Sequence, residues 1–146
     1  MDKKTRDNSA MMNGLYWWGV PTLFRCPHKP ETEGCDIALV GVPHSTGNGT
    51  TQRDQHLGPR AVRNISAQGR RGHLKFGISP WEMCESRDFG DVPLPEANNN
   101  EQCIERITEF YEVLAESGVR PVSIGGDHSI CLLYTSPSPR DAHESR

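Results

Sequence analysis

Five consecutive residues, Gly125-Gly126-Asp127-His128-Ser129, carry the strongest chemical signal in the chain. They close the short apolar run Val119-Arg120-Pro121-Val122-Ser123-Ile124, which reads as a strand. Paired glycines let a backbone turn sharply and come close to a ligand. In open parallel sheets, ligand sites gather beyond the carboxyl ends of strands. An imidazole there can offer a ring nitrogen to a metal, and a neighbouring carboxylate such as Asp127 can orient it. Taken alone, the motif leaves two readings open: one corner of a metal site, or a hydrogen-bonded polar turn at a strand end.

Other groups carry weaker signals. The histidines at 28, 44, 56, 73 and 143 have no ligand spacing and read as loop or surface residues. Asp88-Phe89-Gly90 spells a kinase metal motif, but no glycine-rich loop or His-Arg-Asp loop accompanies it. Gly47 and Gly49 lack the third glycine of a dinucleotide fingerprint. The five cysteines are an odd number at wide spacing with no C-x-x-C, which predicts reduced thiols rather than a disulfide framework or a zinc knuckle.

The elements that must position His128 follow from pattern. Asp36-Ile37-Ala38-Leu39-Val40-Gly41-Val42-Pro43 is a nearly continuous apolar run between turn residues, as in a parallel strand buried on both faces. Residues 44–57 are polar and glycine-containing, a long loop of the kind that is usually functional or disordered. Gly58-Pro59 opens a short helix that runs on through Ala61-Val62-Arg63-Asn64-Ile65. Residues 87–92 are a second short strand. The clearest helix spans 101–117: Cys103, Ile104, Ile107, Phe110, Tyr111 and Leu114 form one apolar stripe, residues 98–100 offer caps, and Gly118 stands at the exit. Strand, helix and strand in that order make a crossover unit on a parallel sheet, so the fold class is α/β.

The 146 residues suffice for one domain, and 34% apolar content with 14 glycines and 11 prolines predicts a core surrounded by much loop. A formal charge of -3 and the absence of a basic stripe argue against nucleic-acid binding. No run approaches the ~18 apolar residues of a membrane span. The polar first thirteen residues contain no secretory apolar region, which predicts a cytoplasmic protein with a mobile N-terminus. The aromatic cluster Leu15-Tyr16-Trp17-Trp18 reads as an arm packed on the domain surface or on a neighbouring subunit.

Several motifs occur in register: Gly41-Val42-Pro43, Gly47-Asn48-Gly49-Thr50-Thr51, Gly58-Pro59-Arg60-Ala61-Val62-Arg63, Asp88-Phe89-Gly90-Asp91-Val92 and Pro121 through Ser129. Together they resemble the arginase/agmatinase (ureohydrolase) family, over roughly residues 14–130. The loop from Gly49 to Arg60 is most similar to the agmatinase branch, which includes guanidinobutyrases and guanidinopropionases. The resemblance implies a three-layer sandwich with a mainly parallel sheet, present here as an incomplete arginase-like fold. It also implies a hydrolase that releases urea and an amine from a guanidino substrate. In such a site two Mn²⁺ ions lower the pKa of a shared water and hold it as the attacking hydroxide. His128 then matches the first manganese ligand, with Asp127 as its support. His44, Asn48 and His56 fall in the loop at the substrate mouth, and Arg60 and Arg63 near that mouth and a subunit contact. A homo-oligomer is expected for the full-length protein.

The pattern then breaks. The family continues to a strand ending in Asp-Ala-His-x-Asp and to a later Asp-x-Asp pair, which supply the remaining ligands. Asp141-Ala142-His143-Glu144-Ser145 imitates the first of these, but Ser145 replaces a carboxylate. Only residues 129–140, including Pro137 and Pro139, separate it from His128, too few for a crossover of at least ~10–12 residues plus a strand. Residues 131–146 are therefore expected to be foreign to the domain, a chimeric or adapter-derived read-through. The chain as written is expected to be inactive. The alternative is a non-catalytic ureohydrolase-like protein that binds or assembles with full-length subunits. The half-sheet is also expected to leave a strand edge unpaired.

Overall fold

The computed structural model describes residues 17, 19–45, 54–69, 72–96, 98–128 and 130. Three parallel strands, β1 (Ile37–Val42), β2 (Ser86–Asp91) and β3 (Arg120–Gly125), form one sheet in the order β2-β1-β3. The helices are α1 (Gly58–Ser66), the single turn α2 (Pro80–Met83) and α3 (Asn100–Ser117). β1 contains only apolar residues and glycine, and it takes the central position, where both faces are covered.

Alternation along the strands builds two cores. Ala38, Val40 and Val42 of β1, with Phe89 of β2, pack against Ile107 and Leu114 on the apolar stripe of α3. On the other face Leu39 meets Leu23 and Cys26, bordered by Ile37, Val62, Trp81 and Ile124. The sheet thus lies between α3 and a second layer made of α1, α2 and the turn at Leu23–Arg25, in keeping with the α/β class that the pattern predicts and the layering that the resemblance implies. α3 begins one residue earlier than its apolar stripe suggests, because Asn99 caps it by accepting the Gln102 N–H at 3.2 Å. It ends at Gly118, which adopts the left-handed conformation. The predicted loop over 44–57 is not wholly irregular: Asp54–Leu57 is a 3₁₀ turn leading into α1.

The two outer strands differ. The edge of β2 is covered by the N-terminal segment: the Asp88 N–H donates to the Pro27 carbonyl (2.9 Å) and the Lys29 N–H to the Asp88 carbonyl (3.2 Å). No strand among the described residues pairs with the outer edge of β3.

β2 also carries an irregularity that organises the α1 layer. Asp88 and Asp91 are three apart, a spacing that in a regular strand puts them on opposite faces. Here Leu39 pairs with Asp88 but Gly41 pairs with Asp91, so one extra residue enters the strand. Gly90 takes it up at φ 79°, a conformation other residues reach only with strain. Both carboxylates consequently reach Arg63 on α1. Arg63 Nε and Nη2 donate to the two oxygens of Asp88 at 2.9 and 3.0 Å, and Nη1 donates to Asp91 at 2.6 Å. The Leu23 and Gly90 N–H groups complete the Asp88 shell, each at 2.9 Å.

Asp88 is 1% exposed. Burial pushes its carboxyl pKa up, but the Arg63 hydrogen bonds and the two backbone N–H groups outweigh this and hold it below the usual value. The same partnership raises Arg63, led by its hydrogen bonds to Asp88. Removing one member of a buried pair strands the other, at a cost of about 3–5 kcal/mol. Arg63→Ala is accordingly expected to lower unfolding stability by about that much in urea titrations, and a loss under ~1 kcal/mol would contradict the assignment. Because the folded-state pKa of Asp88 is lowered, its contribution is complete above the ~3.9 of an unfolded aspartate and disappears as pH falls through the folded value. Wild-type stability should therefore drop below about pH 4 more steeply than that of Arg63→Ala.

Candidate functional site

β1 and β3 run in parallel, so their carboxyl ends emerge side by side. The end of β1 and the residues after it (Val42-Pro43-His44) meet the end of β3 and the residues after it (Gly125-Gly126-Asp127) in a close crossing. The Asp127 N–H donates to the His44 carbonyl at 2.8 Å, and the His44 N–H folds back onto the Val42 carbonyl at 2.8 Å. Gly126 lies in the angle between them. A Cβ there would stand 2.5 Å from each of the Val42 and His44 carbonyl oxygens, so only glycine fits. The start of α1 presses on the same turn, with Gly58 packed directly against the Gly125 carbonyl. Ile130 lies over Gly125 from the other side.

His44 and Asp127 are buried at 2% and 4% exposure. His44 Nδ1 approaches Asp127 Oδ1 at 3.4 Å, a long hydrogen bond between buried side chains. A carboxylate only accepts, so the proton belongs on Nδ1. His128, one residue on, is exposed. An imidazole open to solvent, on a turn fixed from three sides at the sheet's carboxyl end, can offer a ring nitrogen to a ligand.

The other predicted residues are placed differently. His44, expected in a mouth loop, is buried at the end of β1 and turned to Asp127. His56 is exposed in the 3₁₀ turn beside α1. Asn48, Ser129, Cys131 and the Asp141–Ser145 imitation lie outside the described residues. Arg60 is exposed, whereas Arg63, assigned to the mouth region on sequence, is committed to Asp88 and Asp91. Among the described residues no three His, Cys, Asp or Glu side chains gather where they could hold a metal ion. The described part therefore does not fit a two-ion site by itself. The four described cysteines are free. Burial raises the thiols of Cys35 and Cys103, which makes them poor nucleophiles.

Motif and spacing alone pass over Asp88, although a signal for it is present. An acidic residue inside a strand otherwise fit for burial requires a charged partner, and Arg63 is available on the facing helix.

Residues 35–140 match the model of the arginase family. The guanidinopropionase of Pseudomonas aeruginosa is 33% identical over 114 residues, covering 78% of this chain and 35% of its own length. The mitochondrial agmatinase of Gallus gallus is 37% identical over 112 residues, 77% of this chain and 32% of its own. The chain thus spans about a third of the length of these curated relatives. Among solved structures, a hypothetical agmatinase from Burkholderia thailandensis superposes with a TM-score of 0.75 at 27% identity, over 82% of this chain and 37% of that one. Proclavaminate amidinohydrolase from Streptomyces clavuligerus gives 0.76 at 24% identity, over 82% and 39%, and shows the shared fold.

The crossing of the two strand ends makes a direct prediction. Gly126→Ala forces its methyl against two carbonyls and is expected to destabilise the fold by about 1–3 kcal/mol, the range typical of overpacking. Denaturant titration reads this, and an unchanged midpoint would mean that the turn yields freely.

Proposed function

The chain belongs to the arginase family, and on that premise we propose that it is the N-terminal part of a manganese-dependent ureohydrolase acting on agmatine or a guanidino acid. The observation that supports this most strongly is His128: exposed, just beyond the carboxyl end of β3, on a turn that Gly126 and Asp127 lock to the end of β1. In this reading His128 is the first ligand and Asp127 a residue of its support. The relatives named guanidinopropionase and agmatinase support the substrate class. A dinuclear site needs several carboxylates for charge balance and coordination, and one histidine does not supply them. We therefore read the 146-residue chain as inactive by itself.

The remaining assignments belong to the same proposal. The family domain runs over 14–130, and residues 131–146 are foreign to it. The loss of any helical or strand period and the two Ser-Pro steps support that boundary, while the family match itself continues to residue 140. Sequencing the source transcript across position 130 decides between them. No helix among the described residues is long and apolar enough to cross a membrane. We assign the protein to the cytoplasm, with mitochondria as the alternative because several relatives, among them those from Gallus gallus and Homo sapiens, are named mitochondrial. The full-length protein is read as a homo-oligomer.

A second reading, a non-catalytic chain that assembles with full-length subunits, draws support from the unpaired outer edge of β3 among the described residues. Genomic sequence downstream of Ile130 separates the two, since a gene lacking an Asp-Ala-His-x-Asp region favours the second.

Urea release from agmatine or 4-guanidinobutyrate with added manganese tests the leading reading. The 146-residue chain should give none, and the full-length protein should turn over. In the full-length protein His128→Ala should lower kcat by more than about 100-fold, beyond the ~10–100-fold typical of residues that only support a ligand. Turnover by the short chain, or an active His128→Ala variant, would overturn it.

A further inference from the structure

His44 is the one histidine that is almost fully buried among the described residues. It sits in no apolar cluster, and its ring is turned to a carboxylate that immediately precedes the exposed His128. We infer that His44 is a positioning residue, which holds the turn carrying His128 by bonding Asp127 through both its backbone carbonyl and its ring. The inference rests on the reading of His128 given above and deepens it.

Three features support this role. First, Asp127 is gripped twice by the same residue: its N–H by the His44 carbonyl at 2.8 Å and its Oδ1 by His44 Nδ1 at 3.4 Å. Two bonds on one residue fix both its position and its rotation, and the Cα of His128 is only one peptide away. Second, the contact is rigid on the β1 side. Val42 belongs to the central strand, and the His44 N–H is itself committed to the Val42 carbonyl. Third, there is no slack, because Gly126 already touches the Val42 and His44 carbonyls and Gly58 closes the turn from α1. Ligand side chains work when their supporting residues are themselves locked, and a displacement of ~1 Å is enough to spoil a site.

The chemistry of the pair explains why the residue is a histidine and not an aromatic hydrocarbon. A phenylalanine of similar shape would fill the space but remove an N–H donor from a buried carboxylate, which is costly where water cannot replace it. An asparagine keeps an N–H donor the same number of bonds from the backbone as Nδ1. The two substitutions therefore separate filling the space from holding the carboxylate.

The test is made on the full chain, with neither metal nor substrate. Amide hydrogen exchange at Asp127 and His128 is measured by NMR in the wild type, His44→Phe and His44→Asn, together with the ¹⁵N resonances of the histidine rings. His44→Phe should speed exchange at the Asp127 amide by about 10-fold, as expected for local opening of the turn, and His44→Asn should restore most of the protection. Equal protection in all three proteins, or equal loss in both variants, would overturn the inference. Should His44→Phe fail to fold, the wild-type ring decides. Its Nδ1 should carry the proton and lose its hydrogen-bonded shift in Asp127→Asn, and a ring protonated on Nε2 alone, or one indifferent to Asp127→Asn, would sink the idea. Because nothing here depends on urea release, failure of the functional reading and failure of the positioning role remain distinguishable.

Discussion

A carboxylate removed from water must be surrounded by donors, and Asp88 meets that requirement by drawing three separate parts of the chain onto one face of the sheet. Arg63 brings α1, the Leu23 N–H brings the N-terminal turn, and Gly90 bends β2 to admit Asp91 as a second partner. The apolar contacts on this face are modest, chiefly Leu23, Cys26 and Leu39. The charge network therefore specifies where α1 lies, while the α3 face is specified by ordinary packing.

That specification reaches the candidate site. α1 begins at Gly58, which presses on Gly125, and the second residue of the helix, Pro59, is buried against Gly41 of the central strand. An α1 placed elsewhere would remove the Gly58 contact from the Gly125-Gly126 turn. The chain of causes runs from the extra residue in β2, to the paired aspartates, to Arg63, to the start of α1, and finally to the turn that presents His128. His44 and Asp127 complete the turn from the β1 side.

Much of this architecture is legible in the amino-acid pattern. The continuous apolar run of β1 marks a central parallel strand, and the stripe on α3 with Asn99 before it and Gly118 after it marks a capped helix. The placement of His128 at a strand end follows from the same reasoning. What pattern does not show is tied to three dimensions. The polar character of residues 44–57 conceals that His44 is interior, because burial there comes from the crossing of two strand ends that are far apart in sequence. The role of Arg63 depends on an irregular register in β2, and an extra residue leaves no periodic trace in so short a strand. Asp88 resembles a chance motif when its neighbours in sequence are compared; an acid inside a buried strand signals a charged partner, and the structure shows which one it is.

If His128 forms one corner of a cradle for two manganese ions, sequence beyond this segment must complete it. A Mn²⁺ titration of the full-length protein followed by electron paramagnetic resonance tests this most directly. The expected result is two bound ions with an exchange-coupled signal, and loss of one ion and of the coupling in His128→Ala. Two coupled ions retained in that variant would contradict the assignment.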